Sequence, residues 1–82
     1  MNDVTFVITK DDIACGGSNP PDCPIALAAK RRLPGSNPRV GNFYMRLFGK
    51  SYPMPEDASQ FTENFDAGKR VEPFRFTLAL EM

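Results

Sequence analysis

The sequence predicts an α+β fold: a small, mostly antiparallel sheet of three to four strands with two helices packed on one face, in a single domain over residues 1–82. Three observations predict it. Apolar residues alternate at Val4, Phe6 and Ile8, at Phe43, Met45 and Leu47, and at Phe74, Phe76, Leu78 and Leu80, the period of a half-buried strand. Residues 24–33 and 55–67 instead carry apolar stripes at helical spacing. Gly16-Gly17, Pro34-Gly35 and Gly68 separate these segments, each a residue type that ends regular structure.

The elements follow in order. Val4–Thr9 is rich in β-branched residues and is the first strand. Thr9-Lys-Asp-Asp12 resembles a capping box, so one helical turn is expected over residues 10–15 before Gly16 stops it. A residue preceding proline avoids the α region, which makes Cys23 an N-cap and Pro24 the first residue of a helix that Pro34-Gly35 ends. Ile25, Ala26, Ala29 and Leu33 form the buried face of that helix, and its alanines permit close approach to a sheet. Leu27 falls on the other side, beside Lys30 and Arg31.

Ser36-Asn-Pro38 is a turn, and Arg39–Phe48 reads as one extended arm with Tyr44, Arg46 and Phe48 on the face opposite Phe43, Met45 and Leu47. A reversal at Gly49-Lys50 returns the chain along Ser51–Met54, where Pro53 and Pro55 confine the second arm to a sheet edge. Pro53 also argues against a ferredoxin-like plait, which shares the β-α-β-β-α-β order but would make this strand central. Met54, Ala58, Phe61 and Phe65 define a helix over 55–67, with acids in its first turn and Gly68 just beyond its end. Val71–Leu80 is the last strand.

Eighty-two residues with seven Phe and two Tyr suffice for one modest core, burying roughly 60–65% of the unfolded surface. Ten basic and ten acidic residues cancel, which argues against a general polyanion binder. The charges are nevertheless segregated: −3 over residues 1–22, +6 over 30–50, and −4 over 55–67. Such a chain suits a charge-complementary partner. No stretch approaches the ~20 apolar residues of a membrane span, and Val4–Ile8 is too short for a secretory apolar core. The expected location is therefore cytosolic, with reduced thiols and no membrane partner.

Candidate chemistry is sparse. Cys23 at a helix N-terminus is a candidate reactive thiol, since unpaired N–H groups stabilise a thiolate. The chain has no histidine to act as its base, and a small apolar cap is the simpler reading. A Cys15–Cys23 disulfide would close a short Gly/Pro loop but is not expected in the cytosol. Two cysteines fall short of a zinc site within one chain, so no metal, cofactor or catalytic residue is expected. Gly16-Gly17-Ser18 lacks the spacing of a phosphate loop, and Asp22 would repel phosphate. Glu56 and Glu63 share a helix face without a third ligand or base and read as solvated.

The basic-aromatic band carries more. Leu27, Lys30, Arg31, Arg39, Tyr44, Arg46 and Lys50 are the expected partner-binding residues, with Tyr52 beside them. Interleaved cations and aromatics also suit single-stranded nucleic acid, although the paired aromatics on adjacent strands that would make this specific are missing. Cations at a helix end and one solvated hairpin face account for the same residues without any partner.

Three fragments, Asp22-Cys-Pro-Ile-Ala-Leu-Ala-Ala-Lys-Arg31, Phe65-Asp-Ala-Gly-Lys69 and Val71-Glu-Pro-Phe-Arg-Phe-Thr-Leu78, together resemble small uncharacterised proteins encoded by bacteriophages and prophages. The likeness covers about a third of the chain and contains no catalytic motif. It implies a compact product of a mobile genome, often an accessory protein that binds a host or viral component. With the polarised charge and Leu27 on the far side of its helix, the expected function is a non-enzymatic binding protein of the host cytoplasm, for example an inhibitor of a bacterial defence or transcription complex. Single-stranded nucleic-acid binding and thiol-dependent redox activity at Cys23 are the alternatives. On this reading, charge reversal at Arg31 and Arg46 should abolish binding and leave the melting temperature nearly unchanged.

Overall fold

The computed structural model describes residues 2–17, 19 and 22–80. Its elements run β1 (Asn2–Ile8), α1 (Lys10–Cys15), α2 (Pro24–Arg32), β2 (Arg39–Val40), β3 (Tyr44–Leu47), β4 (Lys50–Pro53), α3 (Glu56–Asp66) and β5 (Phe74–Leu80). The fold is α+β with antiparallel pairing throughout, as expected. The strands are divided, however, between a two-stranded sheet β1-β5 and a three-stranded sheet β2-β3-β4.

The first and last strands pair in full register from Asn2↔Leu80 to Ile8↔Phe74. Their alternation then decides the layers. Val4, Phe6, Ile8, Phe76, Leu78 and Leu80 are buried on one face, while Asp3, Thr5, Val7, Arg75, Thr77 and Ala79 face solvent on the other. The α2 and α3 helices both contribute to the core on the buried face. Ile25, Ala26, Ala28 and Ala29 of α2 are essentially inaccessible, and their small side chains let the helix lie close to β1. Phe61 of α3 packs on Phe74 with tilted rings 4.7 Å apart, and Phe74, Phe76 and Phe6 continue the row at 5.7 and 5.4 Å. This aromatic row joins β1 and β5 to α3. Offset ring pairs of this kind add about 1 kcal/mol each beyond burial.

Local signals explain the helix boundaries. Thr9 caps α1: its Oγ1 accepts from the Asp12 N–H, and its own N–H donates to the Asp12 carboxylate. Cys23 caps α2 with Pro24 at its first position. Gly68, at φ +77°, follows α3 in the left-handed conformation that ends the helix. The last strand starts at Phe74, three residues later than the alternation predicts, because β1 ends at Ile8 where Thr9 turns into its cap.

The segment 39–48 departs most from expectation. It is not one arm but two strands joined at Asn42-Phe43, with Val40 opposite Met45 and the Gly41 N–H donating to the Tyr44 carbonyl. Phe43 therefore leaves the inward set of Met45 and Leu47 and is 71% exposed. The next reversal falls on Phe48-Gly49, one residue before the expected pair, since Leu47 opposes Lys50. Phe48 and Gly49 have φ of +52° and +77°, the two positive values of a type I′ hairpin turn. As expected, β4 is an edge strand, with Pro53 at its end.

Gly16 joins α1 to α2 through lack of space. A Cβ there would lie 2.7 Å from the Pro24 ring and 2.8 Å from the Asp12 carbonyl, whereas Gly17 has open space. The Gly16→Ala variant should lose about 1–3 kcal/mol of stability through overpacking, and Gly17→Ala should change it by less than about 1 kcal/mol. Chemical denaturation of the two variants measures the difference.

Candidate functional site

The residues expected to form one binding band fall into two groups. At the end of α2, Arg31 is committed to the fold. Its guanidinium grips the Asp12 carboxylate with two hydrogen bonds of 2.8 and 2.9 Å and donates a third, of 2.8 Å, to the Val7 carbonyl on β1. Asp12 itself is 4% exposed. Burial alone would raise its pKa, but the hydrogen bonds and charge of Arg31 and the backbone N–H of Thr9 outweigh that and hold it below the ordinary 3.8. The same contact, led by the hydrogen bond to Asp12, raises the pKa of Arg31. Arg31 is thus a structural residue, and the expectation that its charge could be reversed without loss of stability is corrected.

Its helical neighbours are also drawn toward the fold. Lys30 lies 3.6 Å from Asp22, with both side chains largely solvated, a pairing worth little. Leu27 is half-buried and is no exposed apolar anchor.

Cys23 is corrected as well. It is 5% exposed, and its Sγ accepts from the Ala26 N–H at 3.4 Å. Burial pushes its pKa above the ordinary 9.0, outweighing the stabilising N–H groups of Ala26 and Ile25, and the Asp66 charge adds to the rise. A helix terminus lowers a thiol pKa only where water or a cation can share the charge, and this cap is sealed by the core. Cys15 is exposed, and both thiols are free. Of the Gly/Pro loop considered as an anion cradle, Ser18, Pro20 and Pro21 lie outside the described residues.

The second group does converge. Arg39 and Arg46 are direct cross-strand partners on the exposed face of β2-β3-β4, and Ser51 continues the row on β4. Among the described residues, neither arginine has an ion-pair partner. Tyr44, one row away and opposite Pro53, is 59% exposed. Lys50 stands at the hairpin opposite Leu47, whereas Tyr52 turns inward and is 8% exposed. Two aromatics that periodicity assigned no role bracket β3: Phe43, 71% exposed, and Phe48, 50% exposed. Gly41-Asn42 and Phe48-Gly49 are the signals that could have placed both in turns.

The Phe48 backbone is held in place, its N–H donating to the Ser36 carbonyl at 2.8 Å. Ser36 is fully buried, and its hydroxyl has no hydrogen-bond partner among the described residues. The hairpin is therefore anchored to the loop after α2 through the main chain of a buried serine.

Elsewhere, an open groove of about 370 Å³ runs between α3 and the start of β5, lined by Gln60, Phe61, Asn64, Val71 and Phe74. Its charged borders alternate in sign, with Asp57 and Glu72 against Arg70 and Arg75, and favour no single ligand charge. Among the described residues, no cluster of three potential metal ligands occurs. Among the described residues, no helix is long and apolar enough to cross a membrane. Comparison with protein-family models, with curated proteins and with solved structures finds no match.

Because the folded pKa of Asp12 lies below its unfolded value, its contribution is present above about pH 4 and is lost as pH falls through the folded pKa. Thermal melts from pH 6 to about pH 2.5 should show an acid-dependent loss in the wild type that Asp12→Asn reduces. Arg31→Glu should lose about 2 kcal/mol or more at neutral pH, since it leaves the buried carboxylate facing another acid.

Alkylation with iodoacetamide at pH 8 should modify Cys15 readily and leave Cys23 protected until the chain unfolds. Mass spectrometry of the Cys15→Ser variant reads Cys23 alone, and rapid native labelling there would restore the reactive-thiol reading.

Proposed function

We propose that this protein is a non-enzymatic binding protein whose exposed β2-β3-β4 face engages an acidic segment of a protein partner. The observation that carries the reading is a pair of unfavourable local choices in that one sheet and its turn. Arg39 and Arg46 stand directly opposite each other, with no acid to pair them among the described residues, an arrangement that weakens a sheet. Phe48 occupies a left-handed turn position where asparagine or glycine is favoured, at a cost of about 1–2 kcal/mol, and still leaves half its surface in water. Residues that break local rules without a packing gain are what a binding surface requires. Arginines flanked by solvent-exposed aromatics supply both the charge and the anchors of a protein interface. The resemblance to phage-encoded proteins supports a host or viral macromolecule as the target, with an inhibitor of a defence or transcription complex as one form.

Single-stranded nucleic acid is the second reading. It is favoured by Phe43, Tyr44 and Phe48, whose exposed rings flank the arginines along β3 as stacking platforms would.

The Arg39→Glu/Arg46→Glu double variant keeps two like charges opposed, so its stability should stay near that of the wild type. In nuclease-treated host lysate, a partner held by wild-type bait should be lost from this variant. Phe48→Asn should gain about 1 kcal/mol of stability while weakening the same partner at least about tenfold. Undiminished capture by both variants would overturn the surface. Anisotropy titration of a labelled single-stranded oligonucleotide tests the other reading. Affinity that falls linearly on a log–log salt plot, and is abolished by the double reversal, would replace the protein partner.

A further inference from the structure

We infer that β5 is a self-association edge, across which a second copy of this chain pairs antiparallel about Thr77 to make a continuous four-stranded sheet β1-β5-β5-β1. The inference is independent of the cationic face. It begins with the hydrogen bond from Arg31 to the Val7 carbonyl. That carbonyl is taken from outside the β1-β5 ladder, so Val7, and by alternation Thr5 and Asp3, point their backbone groups away from β5. Their register partners Arg75, Thr77 and Ala79 therefore point theirs to the opposite, outer edge of β5. Among the described residues, no strand pairs with that edge and no backbone hydrogen bond reaches it. The two edges of this sheet thus differ: Arg31 reaches the outer edge of β1 at Val7, whereas among the described residues no backbone partner reaches the outward groups of Arg75, Thr77 and Ala79 on β5. An isolated two-stranded sheet with an open edge is a template for a further strand.

Side-chain chemistry suits a second copy paired in the register centred on Thr77. Centred on Thr77, the outward backbone sets coincide: Arg75 meets Ala79, Thr77 meets Thr77, and Ala79 meets Arg75, each able to exchange two backbone hydrogen bonds. Moving the centre to Phe76 sets Ala79 against Pro73, which has no N–H to give. In the Thr77 register no like charges face each other. The Thr5 and Thr77 hydroxyls, already 2.8 Å apart, extend into a row of four threonines across the assembly. Asp3 and Ala79 are register partners within one copy, so Arg75 of the second copy joins the same row. Its guanidinium can extend over the Ala79 methyl toward Asp3, and the symmetry repeats this contact at the other end. On the buried face, Phe76 meets Leu78 and Phe74 meets Leu80, continuing the apolar layer.

Sedimentation equilibrium of the intact chain from about 1 μM to about 1 mM should show a monomer–dimer equilibrium. Hydrogen exchange at the Arg75, Thr77 and Ala79 amides should slow as concentration rises. Ala79→Arg separates association from folding: the new arginine faces Asp3 within its own chain, keeping or raising stability, but faces Arg75 of the second copy. It should weaken the dimer at least about tenfold, and Thr77→Lys, which sets two ammonium groups together at the centre, should do the same. A chain that stays monomeric throughout, or a dimer that neither substitution weakens, overturns the proposal.

Discussion

The grip of Arg31 on Asp12 and on the Val7 carbonyl is the interaction on which the remaining architecture depends. Each of its three participants has a second duty. Asp12 completes the cap of α1, Val7 is the penultimate residue of β1, and Arg31 is in the last turn of α2. One guanidinium therefore sets the relative position of a strand and two helices. The arrangement needs arginine rather than lysine, because only a planar fork can meet both carboxylate oxygens and still reach a carbonyl. A buried carboxylate with only the capping N–H groups would be strained by desolvation; the bidentate contact offsets it.

The same interaction divides the surface by task. It commits Arg31 of α2 to the fold, while Arg39 and Arg46 stand opposed on the exposed face of β2-β3-β4. It also occupies the outer edge of β1 at Val7, a contact that the outer edge of β5 does not have among the described residues. The cationic face and the strand edge lie on different sheets. A partner at one face and a second copy at the other need not compete for the same residues.

Local signals made most of the fold legible. The Thr9–Asp12 capping box, Cys23 before Pro24, and Gly68 after α3 all act within a few residues of themselves, and each appears where it was expected. Turn registers were less legible. Alternation alone runs unbroken from Phe43 to Phe48, and only the pairing of Val40 with Met45 and Leu47 with Lys50 shows that both ends are turns. Phe43 and Phe48 were overlooked for that reason: an apolar residue in a strand-like pattern gives no sign that its neighbour has reversed the chain.

What the sequence alone determined is therefore the α+β class, the helix caps, the edge position of Pro53 and the lack of any histidine beside Cys23. Tertiary structure decided which polar residues were free to act. Arg31 and Arg46 are the same residue type at similar apparent exposure in the sequence, yet one grips a buried carboxylate nineteen positions away while the other faces water beside a second arginine. Cys23 likewise has the helix terminus expected of it, but burial in the core sets its pKa. Short-range geometry is written in neighbouring residues. Desolvation and charge pairing are sums over groups that only the folded chain brings together.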